Sequence, residues 1–291
     1  MNRFLIFFFF LLSVNLLSAQ ENTIWLHSNK GQWDSRILYK VDLQMGEMLV
    51  EEDGFIYKLN DYKQKMSHDH GGHEKTIHQD DQFIRKQIIK TKFIKSNWNG
   101  KKVEKKASSF YQNYFLGDDP SKWKTNVRSV GTVIMEEIYD NIDLVIDGSN
   151  ANLEYSFLIK KKAKSSRIKY EIRGASGLKL NNNGSISILN RFGEIIESKP
   201  VAWNVVENKK IVVDVEFELK DGIVSFYFPN GYDENYDLVI DPSITFSTFS
   251  GSTASNWGMT ATPDNHSNLY AAGIVFTDGG DYPTTVGAFD E

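Results

Sequence analysis

The sequence predicts an all-β protein built around a β-sandwich-like domain, and three observations carry that expectation. Apolar and polar residues alternate at period two in segment after segment, the mark of strands with one buried face. Helical periodicity is scarce. Gly, Asn and Asp turn signals punctuate the chain at the spacing of about 8–12 residues that a sandwich of short strands shows. Aromatic residues at 13% and charged residues at 24% suit an ordinary folded protein. A net charge of −5 gives no general attraction to nucleic acid or to acidic membranes.

Taken from the start, residues 1–19 read as a secretory signal peptide. Met1-Asn2-Arg3 supplies a positive charge, Phe4 to Leu12 an apolar run, and Ser18-Ala19-Gln20 a small-residue cleavage site after Ala19. The apolar run is short for a span of about 20 residues and lacks a basic stop-transfer flank, so no transmembrane span is expected in the mature chain. The chain has no Cys. That excludes a lipid-anchored cysteine, and export without disulfides points to a bacterial envelope or surface.

The first hairpin brings Glu47–Glu51 against Phe55–Leu59 across Asp53-Gly54. The stretch Ser67 to Asp81 follows, with four of the six histidines at His68, His70, His73 and His78. Imidazole and carboxylate at this spacing can gather Zn²⁺ or Cu²⁺. Set against that, only Ile77 anchors the tract, and a site without a scaffold must order itself at about 1–2 kcal/mol per residue. A solvated loop is the expected reading, with no cofactor. A basic run from Arg85 to Lys106 contains only Glu104 as a counter-charge. Ile88, Ile89, Phe93 and Ile94 thread through it, which predicts strands with a lysine-studded solvent face of the kind that guards a sheet edge.

Asp119-Pro120-Ser121-Lys122 predicts a single capped helical turn, with Trp123 folding down as a core plug. Two segments echo each other: Tyr139 to Asp147 and Tyr232 to Asp241 each place an acidic turn before an Asp-bounded apolar strand. The echo reads either as two similar strands or as two similar sandwich halves. Asp140, Asp143, Asp147, Asp233, Asp237 and Asp241 flank those strands and are expected to form turn hydrogen bonds instead of the clustered loop that calcium needs. A second hairpin turns at Asn181 to Gly184, where Asn-Gly tolerates positive φ. A third is expected to run from Ile211 to Leu219, turn at Asp221-Gly222 and return through Phe228. Beyond Pro242 the composition shifts to Ser, Thr, Gly and Ala with no Lys or Arg, so a domain boundary is placed there, giving domains 20–242 and 243–291.

Four segments carry a family likeness: Tyr114 to Trp123, Tyr139 to Val145, Glu194 to Ala202, and Tyr236 to Pro242. Together they resemble an uncharacterised bacterial β-rich domain that precedes SBBP β-propeller repeats. Phe246 to Ser252, Asp264 to Gly273 and Asp281 to Phe289 look like the opening of the first such repeat. Two positions depart from the repeat pattern, Ser252 in place of the second Gly of a Gly-Gly pair and Ser267 in place of Gly. The resemblance implies a surface protein of gliding-type bacteria, whose relatives end in a type IX secretion sorting domain. One partial repeat cannot close a propeller of about four to eight blades, so residues 243–291 are expected to begin a longer protein's propeller.

No Gly-x-Ser-x-Gly elbow, phosphate-binding glycine loop or His-Glu-x-x-His occurs, and a thiol nucleophile is ruled out. The expectation is an exported, non-catalytic scaffold or adhesion protein with protein or glycan partners at the cell surface. The rival is a secreted carbohydrate-active enzyme or glycan-binding module, for which Trp98, Trp203 or Trp257 would line one face.

Overall fold

The structure is a computed structural model. It describes residues 23–43, 46–60, 85–149 and 153–242 with their side chains, and the backbone of three further strands at 244–248, 256–263 and 269–275. The expected signal peptide, the histidine tract and the turns of the expected propeller repeat lie outside the described residues.

Among the described residues the only helical turns are two short 3-10 turns; the rest is strand and connection. In chain order come β1 (Leu26–Ser28), β2 (Ile37–Leu43), β3 (Gly46–Glu51), β4 (Gly54–Asn60), β5 (Lys86–Phe93), β6 (Lys102–Tyr114), β7 (Lys124–Tyr139), β8 (Ile142–Asp147), β9 (Glu154–Ile159) and β10 (Lys169–Arg173). They are followed by β11 (Gly177–Leu180), β12 (Ile186–Asn190), β13 (Gly193–Glu197), β14 (Val201–Val206), β15 (Lys209–Val213), β16 (Glu216–Lys220), β17 (Ile223–Tyr227) and β18 (Asp237–Asp241). The last three are β19 (Ile244–Thr248), β20 (Asn256–Pro263) and β21 (Leu269–Val275). All-β architecture is therefore what the alternation builds.

One antiparallel sheet takes fifteen strands, in the order β15-β14-β18-β9-β8-β7-β1-β2-β3-β4-β5-β10-β17-β16, with β6 also on β7. Among the described residues it is open, ending at β15 and β16. A smaller sheet runs β11-β12-β13-β19, and β20 pairs with β21 alone. The sixteen-residue β7 joins two parts of the large sheet. Its C-terminal part pairs with β8, Val130 pairs with Leu26 of β1, and β6 lies along it from Lys124 to Met135. Where β8 ends and β1 begins, the Ile24 amide donates to Gly148 O at 2.7 Å. A Cβ at Gly148 would sit 2.0 Å from Ile24 O, so only glycine lets the two segments meet.

The two parts of the large sheet turn buried faces toward one core. Phe55 of β4 lies 5.6 Å from Tyr155 of β9, and Phe157 of β9 lies 5.8 Å from Phe93 of β5 and 6.0 Å from Phe226 of β17. All of these pairs are edge-to-face, an arrangement worth about 0.5–1.5 kcal/mol each beyond the area buried. The strands supply them by parity: in β9, Tyr155, Phe157 and Ile159 are buried while Glu154, Ser156 and Leu158 are not.

The first two expected hairpins form. Glu51 pairs with Gly54 and Val50 with Phe55, so the tight loop is Glu52-Asp53. Gly54 is required because a Cβ there would meet Thr91 O at 1.9 Å. β11 and β12 close through Asn181 to Ser185, with Gly184 at φ 82°.

The third hairpin forms across Asp221-Gly222 as expected, with Lys220 opposite Ile223, but its first strand begins at Glu216 and not at Ile211. The run from Ile211 to Leu219 is two strands at opposite ends of the large sheet: β15 pairs with β14, while β16 pairs with β17. The chain bends at Asp214-Val215, where Asn230 Nδ2 donates to Asp214 Oδ2 at 2.8 Å and Val215 is buried. The odd-numbered apolar residues keep their alternation through the bend, so period alone cannot reveal the change of partner. The lysine-rich run is also divided. β5 lies between β4 and β10 and its lysines answer acids, Lys90 with Glu51 and Lys92 with Asp53, whereas β6 is the edge.

The echoed strands, β8 and β18, lie on either side of β9 and share it as a partner. β19 adds to β13 from beyond Pro242, with Ile195 paired to Phe246.

Candidate functional site

A cluster of exposed apolar side chains lies at the tip of the β6–β7 hairpin. Between the pairs Ala107–Val130 and Tyr111–Arg128, β6 advances four residues and β7 only two. This bulge re-aims the strand and leaves Phe110 and Tyr111 exposed. The turn beyond is built by local chemistry. Asp119 Oδ1 accepts from the Ser121 amide at 3.0 Å and from its hydroxyl at 2.7 Å, and Pro120 starts the 3-10 turn as expected. Asn113 Oδ1 accepts from the Asn126 amide at 2.9 Å, tying the two strands below the turn.

Trp123 is not a core plug. It is 38% exposed, packs edge-on against Phe115 at 5.2 Å, and donates its indole N–H to Gly117 O at 3.1 Å. Trp123 instead braces the loop, and Phe115 at 58% and Leu116 at 50% exposure face solvent beside it. Below the tip, Trp25 meets Phe110 and Trp33 meets Tyr114, each edge-to-face at 5.2 Å. A rigid aromatic surface results, with Lys122 and Lys124 flanking Trp123 in sequence.

A polar cluster lies at the other extreme, inside the core. Glu197, at the end of β13, is 1% exposed. Tyr170 of β10 donates its hydroxyl to Glu197 Oε2 at 2.5 Å, and Tyr155 of β9 donates to the Tyr170 oxygen at 3.2 Å. Desolvation raises the Glu197 pKa from 4.5 to about 7, against the lowering effect of the two tyrosine hydrogen bonds. Burial, and then the nearby carboxylate, pushes Tyr57, Tyr155 and Tyr170 well above the usual phenol range. The cluster joins the small sheet to both parts of the large one. None of the depressions described below is lined by any of these four residues.

A second line of polar atoms has the residue types of a hydrolase triad. His27 of β1 places Nδ1 2.7 Å from Ser129 Oγ and Nε2 3.3 Å from Asp42 Oδ2. His27 and Ser129 are cross-strand partners, and Ser129 is 1% exposed, so its hydroxyl has no path to a substrate. The arrangement pins β1 between β2 and β7. The His27 hydrogen bond, followed by Lys40, holds the Asp42 carboxyl down at about 2.

Three shallow depressions lie on the surface of the described residues. One of about 530 Å³ is lined by Asn181, Asn183, Ser185, Ser187, Glu194 and Lys199 on the small sheet. One of about 540 Å³ is lined by Lys95, Asn97, Tyr139, Asp140 and Arg167, and one of about 470 Å³ lies beside β15 at Val201, Val212 and Val215.

The sequence-derived candidates separate as follows. His68, His70, His73 and His78 lie outside the described residues. Among the described residues no group of three or more His, Asp or Glu is placed to hold a metal ion. The expected local turn bonds are present for Asp147, which accepts from the Ser149 amide, and Asp233, which accepts from the Asn235 amide; Asp143 accepts from the Glu137 amide across its hairpin, Asp237 from the distant Lys161 amide, and Asp140 from the Asn97 and Arg167 side chains. Trp98 is half-buried against the core and donates to Lys101 O, Trp203 of β14 lies under Lys210 Nζ at 3.9 Å, and the side chain of Trp257 lies outside the description. Among the described residues no helix is long and apolar enough to cross a membrane. The hairpin tip was not singled out as a surface from sequence, although its aromatics sit in the stretch that carried the family likeness.

Fold and surface together define an all-β domain that keeps its strongest polar cluster inside and aromatic rings at a hairpin tip. The chain belongs to the family DUF7948, a domain of unknown function, whose model matches residues 26–243. No curated protein and no solved structure matches the chain.

Proposed function

We propose that this chain is an exported, non-catalytic scaffold or adhesion protein of the cell surface, and that the β6–β7 tip is where it holds a partner. The signal-peptide pattern ending at Ala19 supports export. The two facing parts of the large sheet, with rings from β4, β5 and β17 meeting β9, support a β-sandwich-like body. The likeness of Phe246 to Phe289 to an SBBP repeat supports a β-propeller carried behind it, displayed at the surface of a gliding-type bacterium through type IX secretion.

The observation that carries the proposal is the tip itself. Aromatic side chains anchor binding surfaces because they offer large contact area at little entropy cost, and hot spots are enriched in Trp and Tyr. Here Phe115 and Trp123 are already fixed by each other, by Gly117 O and by the Asp119 cap. A glycan-binding module is the second reading, since flat rings also receive sugar faces, and Trp123 and Tyr111 are the exposed candidates.

The test is binding of purified protein to cell-envelope fractions, compared with a Phe115→Ala/Trp123→Ala double variant. Loss of affinity by about tenfold or more is expected, as for interface hot spots. Abolition by protease treatment of the envelope supports a protein partner, and abolition by periodate supports a glycan. A double variant that binds like the parent overturns the assignment of the tip.

A further inference from the structure

The edges of this fold are not equally protected. An unpaired sheet edge offers a row of N–H and C=O groups to any other strand, and proteins guard it with lysines, bulges or cover. β6 is guarded in that manner, with Lys102, Lys105 and Lys106 exposed and register shifts after Ala107 and Gln112. β16 exposes Glu216, Glu218 and Lys220 along its length and has β11 against it. β15 differs. Among the described residues it pairs only with β14, and its last three residues are Ile211-Val212-Val213, with Ile211 52% and Val212 76% exposed. Val201 on the neighbouring strand is also exposed, which extends the apolar surface.

From this edge we infer that β15 pairs antiparallel with β15 of a second copy of the chain. The charges select the occupant. The segment reads Lys210-Ile211-Val212-Val213-Asp214, basic at one end and acidic at the other, where Asp214 stands at the bend just past β15 and also accepts from Asn230 through Oδ2. A two-fold axis perpendicular to the sheet through Val212 sets Val212 opposite its own copy. Ile211 then meets Val213, and Lys210 meets Asp214, in each case across the dimer. Opposed residues in an antiparallel pair share a face, so Lys210 and Asp214 fall on the side that carries Val212. A two-fold repeats the contact, giving two such charge pairs and two Ile–Val pairs from one short strand. Moving the axis to Ile211 would set Lys210 against Val212 and lose both charge pairs, so the segment specifies its own register. The inference does not depend on the role of the hairpin tip.

Sedimentation of the purified protein over a concentration series tests it. A reversible monomer–dimer equilibrium is expected. Val212→Lys, at an exposed position that folding does not use, sets two lysines against each other at the axis and shifts the protein to monomer. Lys210→Asp sets acid against acid twice and raises the dissociation constant about tenfold, in line with doubled cross-strand pair energies. Adding Asp214→Lys to Lys210→Asp restores the pairs in reverse, and recovery of the dimer is expected. A protein that remains monomeric throughout overturns the inference, as does a dimer that neither Val212→Lys nor the charge exchange alters.

Discussion

The core around Glu197 and the tip of the β6–β7 hairpin invert the usual sorting of side chains in opposite ways. At Glu197 a carboxyl and tyrosine hydroxyls sit where apolar groups belong; at the tip, Phe115, Leu116 and Tyr111 sit where polar groups belong. The interior inversion is self-contained, since each hydroxyl finds an oxygen and nothing is left for a ligand. The exterior inversion is incomplete, because the exposed ring faces lack a covering surface. A buried polar cluster therefore argues for structure here, and an exposed apolar one for recognition.

Breaking the core should cost most. Phe157 contacts Phe93, Tyr155 and Phe226, and Phe157→Ala is expected to lower stability by about 3–5 kcal/mol, read from urea unfolding. The next effect is set by pH. Unfolded, Glu197 titrates near 4.5; folded, near 7. Between those values the folded state holds a proton that the unfolded state has released, so stability falls as pH rises. The contribution is fully present below 4.5 and lost above about 7, a total of about 3 kcal/mol. Unfolding midpoints measured from pH 4 to 8 should show this slope, and Glu197→Gln should flatten it. A parent protein whose slope across that window equals that of Glu197→Gln would show that Glu197 is already ionised in the core.

Tyr170→Phe removes the donor to Glu197 and leaves the Tyr155 hydroxyl without its Tyr170 partner, at about 1–3 kcal/mol by thermal or urea unfolding. The smallest expected change in stability is at the tip. Phe115→Ala should alter the unfolding free energy by no more than about 0.5 kcal/mol, as at other exposed positions. That value sharpens the contrast, because the same residue is assigned a large part in binding.

What was legible in the sequence was local. Gly54 and Gly184 announce their turns because a backbone that only glycine adopts readily is a property of one residue, and Asp119-Pro120 announces its cap because a side-chain acceptor and a fixed φ are equally local. Trp123 was misplaced because whether an indole goes in or out depends on which rings already occupy the core. The continuous alternation from Ile211 to Leu219 hid a change of partner, since a bend between strands need not interrupt parity. Glu197, Tyr170 and Tyr155 lie on three strands and no spacing unites them. Yet Gly193, Ile195 and Glu197 share one face of β13, and a carboxyl in phase with a buried isoleucine was the available sign. The tip was legible as family likeness and missed as surface.

The bend at Asp214-Val215 also has a bearing on how the chain reaches its native form. It ties together the two outermost strands of the fifteen-stranded sheet, and β14 next to it waits for β18, still further along the chain. Contacts of such long sequence separation slow folding, because loop entropy is lost before the contacts repay it. A nascent chain whose last third has not emerged holds neither end of its sheet, and it stays open until almost all of the domain is free to close.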